Sequence, residues 1–299
     1  MPEPAPRSGF VAIVGRPNVG KSTLLNALLG EKLSIVSAKP HTTRHRILGI
    51  LNRPGLQAAF IDTPGHARRS GKALHRAMAR TYRQAVEDAD LVVLVMEATG
   101  IARGDRELFD ALADIRERTV LVINKIDMLK GRTPLLPLLA ELEAYGFRDY
   151  VPVSALTMRN LEPLIDVIAS ALPEGPPLYP PEFRTDKGVA FRAAEIIREK
   201  LFEALHQEVP YGLTVEIETI EKSASGRVEI NALIWIERDS HKPIVIGKGG
   251  RLLKSVGTAA RHDIAALLGE SVHLNLWIKV REHWSDNERE LRRLGYDDA

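Results

Sequence analysis

Gly15-Arg16-Pro17-Asn18-Val19-Gly20-Lys21-Ser22 stands between the apolar run Phe10-Val11-Ala12-Ile13-Val14 and the helix-forming stretch Thr23-Leu24-Leu25-Asn26-Ala27-Leu28-Leu29. Strand, glycine-bounded loop and helix, in that order, are the setting a phosphate-binding loop needs. The spacing lets the backbone N–H groups between Gly15 and Thr23 curl around a phosphate chain, at a helix N-terminus whose dipole also favours anions. Lys21 can reach the outer phosphates, and the Ser22 hydroxyl can ligate Mg²⁺. A chance glycine turn is the competing reading, and both flanks disfavour it.

Outward from this loop, the helix from Lys21 is expected to end at Gly30. A polar segment with His41-Thr42-Thr43-Arg44 follows, then two strand-like runs, 46–51 and 57–61, joined by the turn-rich 52–55. The second run delivers Asp62-Thr63-Pro64-Gly65 at its carboxyl end. An aspartate there can hold Mg²⁺ through water, and the Gly65 amide can meet a terminal phosphate. Further continuous apolar runs at 91–96 and 120–123 indicate strands buried on both faces of a mostly parallel sheet. In such a sheet the ligand sits beyond the carboxyl ends of the strands.

The polar groups after the later strands then test that placement. Asn124-Lys125-Ile126-Asp127 follows one, and Ser154-Ala155-Leu156 follows Val151-Pro152-Val153. The Asp127 carboxylate can accept both the N1–H and the 2-amino hydrogens of guanine, which adenine cannot offer. The stem of Lys125 can lie over the base, and Ser154-Ala155 can offer amides to the guanine oxygen. Taken together and in this order, the motifs resemble a small GTPase of the translation-factor-like class, over residues from about Phe10 to Leu172. The resemblance implies that Thr43, rather than Thr42, joins Ser22 and Asp62 on the metal. It also implies that Asn18 helps bind K⁺ in the role of an arginine finger, with a loop-stabilising side chain as an equal alternative. His66 departs from the pattern of this class. A water-orienting role competes there with a polar side chain turned aside. Between His66 and Arg83 stand Arg68, Arg69, Lys72, Arg76, Arg80 and Arg83 with no acid, over an apolar stripe of Leu74, Met78, Tyr82 and Ala85. A solvated helix face and an anionic partner such as RNA are both open readings.

The 299 residues suit two domains, and a composition 44% hydrophobic and 27% charged is that of a globular chain. No apolar stretch reaches the length of a membrane span. The start, Met1 to Arg7, is expected to be a floppy leader without the apolar core of a signal peptide. With no cysteine, disulfides, thiolate zinc sites and cysteine nucleophiles are excluded.

Pro173-Glu174-Gly175-Pro176-Pro177-Leu178-Tyr179-Pro180-Pro181 cannot be a helix or central strand and is expected to be an extended connector. Domains are therefore expected at 1–172 and 188–299, with a linker at 173–187. Beyond it the pattern predicts helix, two alternating strands, a short helix, Ile246-Gly247-Lys248-Gly249-Gly250, a helix from Arg251 and a last strand. From Gly188 onward there are 16 Lys and Arg against 18 Asp and Glu, yet from Asp239 to Asp263 the count is five against two. The basic surface is thus concentrated near that glycine loop. Trp235 and Trp277 fall in strand patterns and are expected in the core, and Trp284 opens a terminal helix of open role.

The order α-β-β-α-α-β with G-K-G-G between two helices resembles a type II KH domain, which implies contact of Ile246, Gly247, Lys248, Gly249, Gly250, Arg251 and Lys254 with single-stranded RNA. One GTPase domain, a proline-rich linker and one KH domain together resemble the Era family. The expected fold is therefore α/β, a P-loop GTPase domain with a mixed, mostly parallel sheet, followed by an α+β KH domain. The resemblance implies GTP and GDP as ligands with Mg²⁺, and catalysis by Lys21, Thr43, His66 and Asn18. It implies a monomeric, cytoplasmic switch that binds the 3′ end of 16S ribosomal RNA and assists maturation of the 30S subunit. Peripheral attachment to the inner face of the plasma membrane is a further family expectation that no amphipathic anchor in this sequence demands. An RNA-binding module using GTP as a structural ligand, or another KH-containing GTPase, is the alternative.

Overall fold

This computed structural model describes residues 5–65, 71–130, 135–224 and 226–296. The chain divides into two compact units. One comprises Met1–Ser34, Thr43–Ser70 and Met78–Asp186, the other Ile35–Thr42, Gly71–Ala77 and Lys187–Ala299.

In the first unit six strands are arranged in the order β2-β3-β1-β4-β5-β6. They are β1 (Arg7–Gly15), β2 (Ile47–Arg53), β3 (Leu56–Asp62), β4 (Leu91–Glu97), β5 (Thr119–Asn124) and β6 (Asp149–Pro152). Only β2 runs antiparallel, paired with β3 through a tight turn; the other pairings are parallel. The continuous apolar runs have the expected cause, because both faces are covered. Ala12, Val14, Val92, Leu94, Leu121 and Ile123 enter one core with Tyr82, Ala85, Phe109 and Leu142. The alternate residues Val11, Ile13, Val93, Val95, Val120 and Val122 are also fully buried, on the opposite face. There α1 (Lys21–Leu29) and α5 (Leu161–Ala171) contribute Leu24, Leu25, Leu164 and Ile168. Burying a Val or Leu side chain contributes about 1.5–3 kcal/mol; because both faces are apolar, a one-residue slip would expose neither, and burial alone does not set the register.

Two local expectations change. Arg7 lies in β1 rather than in a floppy leader: its N donates to Gly55 O, and its guanidinium reaches Leu172 O at 2.6 Å. The proline-rich stretch forms no helix, carries isolated bridges and a turn at Pro180–Phe183, and is bonded along the first unit. Ser8 N donates to Pro173 O, Gln57 Nε2 to Tyr179 O and Ile50 N to Arg184 O.

The second unit carries α6 (Val189–Ala204), β7 (Leu213–Lys222), β8 (Val228–Ile236), α7 (Lys242–Ile246), α8 (Arg251–Leu268), β9 (Val272–Val280) and α9 (Glu288–Arg293). Its sheet has the order β7-β8-β9, antiparallel then parallel. Ile230, Ala232, Ile234 and Ile236 face a core completed by Ile197, Leu201, Val256, Ala260 and Ile264 of α6 and α8. The odd positions of β8 and β9 therefore point the other way. Trp277 is 47% exposed and Trp235 is half-buried on that outer face, contrary to the core expectation. Trp235 instead donates its indole N–H to Glu216 at 2.7 Å, with Lys279, Arg281 and Arg293 over its ring. Trp284 is the buried one: it donates to Gly212 O at 3.1 Å and packs on Tyr296, tying α9 to the sheet.

Candidate functional site

The loop 15–22, Asp62, Asn124 and Ser154 follow or end β1, β3, β5 and β6, so parallel pairing brings them to one edge of the sheet. Ile13 pairs with Asp62, and Glu97 with Asn124. Sequence moves from β1 to one side of the sheet and from β4 to the other, which makes β1 the switch point where such sheets bind ligands.

Glycine is required at two loop positions. Gly15 has φ +151°, and a Cβ there would stand 2.4 Å from Val95 O; Gly20 has φ +98°, and a Cβ would stand 2.4 Å from Asn124 Nδ2. Asn18 adopts φ 65°. Lys21 is buried, its ammonium donating to Arg16 O at 2.9 Å and Gly15 O at 3.2 Å. Burial brings its pKa down to about 8, against the pull of the Asp62 carboxylate; Arg16 lowers it further. A partly desolvated ammonium at the mouth of a ring of amides is a strong anchor for phosphate oxygens.

Ser22 Oγ donates to Asp62 Oδ2 at 2.8 Å and lies 2.8 Å from Thr43 Oγ1. Asp62 is fully buried, which raises its pKa against the opposing effects of Lys21 and the Ser22 hydrogen bond. Its Oδ1 is buried without a hydrogen-bond partner of ordinary geometry. Ser22 Oγ, Thr43 Oγ1 and Asp62 Oδ2 thus bring three hard oxygens together around Ser22, a donor set that fits Mg²⁺. The neighbouring Thr42 hydroxyl donates instead to Lys39 O at 2.7 Å. Thr63 is turned inward to Ile13 O at 2.9 Å, so its side chain serves the sheet and leaves only its backbone for a ligand. Pro64 and Gly65 follow, and a Cβ on Gly65 would lie 3.0 Å from Pro17 N. His66, together with Arg68 and Arg69, lies outside the described residues. The stripe after it is a helix face as expected, since α2 (Ala73–Asp88) buries Leu74, Met78, Tyr82 and Ala85.

At the other end of the loop, Asn124 is a brace. Its Nδ2 donates to Val19 O at 2.9 Å, and its Oδ1 accepts from Ala155 N at 3.0 Å. Lys125 Nζ donates to Asn18 O at 2.7 Å and pairs with Glu97. Asp127 is exposed and accepts from Ser154 Oγ, which in turn accepts from Thr157 N at 3.1 Å. The carboxylate is thereby aimed while its edge stays open to paired donors such as those of guanine. Leu156 is 77% exposed. Sequence reasoning did not reach Arg16, whose Nε donates to the buried Asp105 at 2.7 Å. Asp105 also accepts from Ala102 N, so a helix start holds the loop from outside. Eighty-nine residues separate that pair, and no local pattern signals it.

The second unit presents a different surface. Gly247, with φ +73°, would place a Cβ 2.6 Å from Leu252 Cβ, while Gly249 and Gly250 face open space at φ +60° and +74°. The backbone of 247–250 is thus bare, with Lys248, Arg251 and Lys254 exposed around it and Ile246 half-buried behind. From Gly250 a groove of about 470 Å³ runs between α8 and β9. Leu253, Leu274 and Leu276 form an apolar floor, with Lys254, Arg261 and Arg227 as cationic walls. The helix runs through Gly257 without a break, and a Cβ there would already be 3.3 Å from Leu276 Cδ1. Arg261, Arg227 and His273 are additions to the expected set. Arg261 was within reach, being seven residues after Lys254 on one helix face. His273 arrives by strand pairing, opposite Glu229, and Arg227 stands directly before β8.

Family models match at two places, a 50S ribosome-binding GTPase model over residues 10–125 and a KH domain model over 208–285. The chain is 50% identical over 298 residues to GTPase Era of Bordetella pertussis, covering 99% of this chain and all of that one. It is 44% identical over 291 residues to GTPase Era of Haemophilus influenzae, covering 97% and 96%. Among solved structures, a variant Era of Aquifex aeolicus bound to GDP·AlF4⁻ is 39% identical with a TM-score of 0.94, covering 97% of this chain and 99% of that one. An Era complex with MgGDPNP and nucleotides 1506–1542 of 16S ribosomal RNA is similar to the same degree.

Proposed function

The chain belongs to the GTPase Era family, and we propose that it is a GTP-hydrolysing switch that binds the 3′ region of 16S ribosomal RNA and assists maturation of the 30S subunit. The observation that carries the reading is the union, in one chain, of a guanine-reading edge at Asp127 and Ser154 with a bare glycine loop leading into a cationic groove. Identity to Era proteins runs through both parts.

Within the G domain (1–172) the residues divide the labour. Asp127, oriented by Ser154, selects guanine, while the Ala155 N–H is taken by Asn124 Oδ1. Asn124 and Lys125 hold the loop so that the amides from Gly15 to Thr23 and the Lys21 ammonium face phosphate oxygens. Ser22, Thr43 and Asp62 would hold Mg²⁺, which would supply positive charge to offset that of the phosphate oxygens during hydrolysis. The Gly65 amide meets the terminal phosphate. Asn18 serves as a K⁺ contact or as a stay of its own loop, and His66 as the orienter of the attacking water. Across the linker (173–187), the KH domain (188–299) grips RNA backbone at 247–250 and seats bases between α8 and β9. The setting is cytoplasmic and the protein monomeric. Peripheral contact with the membrane is the family's finer expectation, tested by sedimentation with anionic vesicles. Among the described residues no helix is long and apolar enough to cross a membrane.

The test is GTP turnover with Mg²⁺ and K⁺, alone and with RNA of nucleotides 1506–1542 or the same RNA with its single-stranded tail scrambled. Turnover and tail-dependent binding are expected. Absence of turnover removes the switch, and equal binding to the scrambled tail removes the RNA assignment.

A further inference from the structure

The phosphate loop is held at both ends, by different parts of the first unit. At the guanine end Asn124 and Lys125 hold the carbonyls of Val19 and Asn18. At the other end the hold comes from α3 (Arg103–Ala111), and it acts through Arg16. Arg16 Nε donates to Asp105 Oδ1 at 2.7 Å, and Asp105 is 1% exposed. The second carboxylate oxygen is occupied as well: Oδ2 accepts from Ala102 N at 2.9 Å, while Asp105 N donates to Ala102 O at 3.0 Å. The carboxylate is therefore fixed to the first turn of its helix, and the guanidinium is fixed to the carboxylate. A buried ion pair is a poor source of stability, because desolvation offsets most of the attraction. The consequence of this one is geometric.

Gly104 shows how closely the side chain is seated. A Cβ there would stand 2.6 Å from Arg16 Cδ and 3.4 Å from Arg16 Cγ. Gly104 has no positive φ, so its backbone does not call for glycine, and alanine is the better helix former. What calls for glycine is the stem of Arg16 lying across the turn.

Two groups that serve the outer phosphates meet at the peptide Arg16 carries. Arg16 O accepts from the Lys21 ammonium at 2.9 Å. Arg16 O and Pro17 N lie in one rigid peptide plane, and Gly65 rests against it: a Cβ on Gly65 would be 3.0 Å from Pro17 N and 3.2 Å from Lys21 Nζ. A shift of that plane moves the ammonium and changes the room left for Gly65. The lysine of such a loop reaches the β- and γ-phosphates, and the Gly65 amide meets the terminal one. GTP uses both groups in full, and GDP does not.

We propose that Arg16, seated on Gly104 and held by Asp105, is a positioning residue for the γ-phosphate: it fixes the peptide plane at which Lys21 and Gly65 meet, and so sets the preference for GTP over GDP. This rests on the nucleotide site proposed above.

The experiment titrates the full-length protein with fluorescent derivatives of MgGDPNP and MgGDP, and measures kcat and KM for GTP. Gly104→Ala puts a methyl group where the Arg16 stem lies. It should leave the melting temperature unchanged or higher, weaken MgGDPNP by about tenfold and MgGDP by less than about threefold, and lower kcat by about tenfold. In the background Arg16→Ala/Asp105→Asn, which has neither the stem nor the buried charge, adding Gly104→Ala should change neither affinity by more than about twofold. Arg103→Ala, at an exposed side chain of the same turn, is the control and should keep both affinities. Equal weakening of the two nucleotides by Gly104→Ala, or a loss of the same size without the Arg16 stem, marks an effect of the helix alone and overturns the proposal. Should either variant fail to fold, Arg16→Lys, which keeps the charge and loses the Nε donor, is expected to show the same split between the nucleotides. An unchanged ratio there refutes the positioning role. If the wild type binds neither nucleotide, the nucleotide site falls and this role with it. A wild type that binds both, beside folded variants with its own ratio, sinks the positioning role alone.

Discussion

Asn124 makes no contact that chemistry would demand of a catalyst, yet removing it should cripple nucleotide binding. It is 2% exposed, and its amide bridges Val19 O and Ala155 N, the two segments that flank the ligand. Asn124→Ala leaves a buried carbonyl and a buried N–H unpaired, at about 1.5 kcal/mol apiece. The sum, about 3 kcal/mol, corresponds to roughly a hundredfold loss of affinity. The bridge orders the loop before any phosphate arrives, so the loss falls equally on GTP and GDP. Titration of a fluorescent GDP and a fluorescent GTP analogue measures both. Asn124→Asp is the control, since it keeps the acceptor for Ala155 N but sets a carboxylate against Val19 O, and should bind no better than the alanine variant. A loss under about threefold, or one confined to GTP, would show that the loop is ordered by other contacts and refute the reasoning.

Other outcomes follow from the same geometry. Thr43→Ala should raise the Mg²⁺ requirement for GTP turnover by tenfold or more, about 1.4 kcal/mol. Thr42→Ala, which loses only the bond to Lys39 O, should shift it by less than about threefold. Gly247→Ala must place a Cβ 2.6 Å from Leu252 Cβ at φ +73°. In gel-shift titration it should weaken RNA at least tenfold, while Gly249→Ala, which meets open space, costs only the left-handed backbone, about 1–2 kcal/mol. Lys254→Ala and Arg261→Ala should each lower the slope of log affinity against log salt by about 0.7, the value for one phosphate on a single strand. An unchanged slope would take that side chain off the RNA. Asp127→Asn removes one acceptor from the base edge and should lower GTP affinity at least tenfold while raising that for xanthosine triphosphate, measured by competition.

The nucleotide loop was legible because its chemistry is contiguous. Eight residues in a row carry the glycines, the lysine and the hydroxyl, and the flanking run and helix state their setting. Asn124, Asp127 and Ser154 were legible for a related reason, each standing directly after a strand whose carboxyl end must face the ligand. The second unit declared its order through alternation and through G-K-G-G. Alternation misled at the tryptophans. In β8, Leu233 and Trp235 break the polar side of the pattern, so both faces look apolar, and only the packing of α6 and α8 against Ile230, Ala232 and Ile234 decides which is inside. The linker's bonding was not legible, because its partners are backbone groups with no sequence signature.

The sequence by itself thus determined the kind of ligand each loop can take, since phosphate, guanine and RNA backbone are recognised by short runs of backbone amides and single side chains at fixed spacing. Tertiary structure alone decided what holds those loops. Arg16 with Asp105, Glu97 with Lys125, and Arg198 with Thr42 are pairings of residues 28 to 156 positions apart. They arise from strand order and helix packing, which no local pattern encodes. Tertiary structure also placed Thr43 beside Ser22.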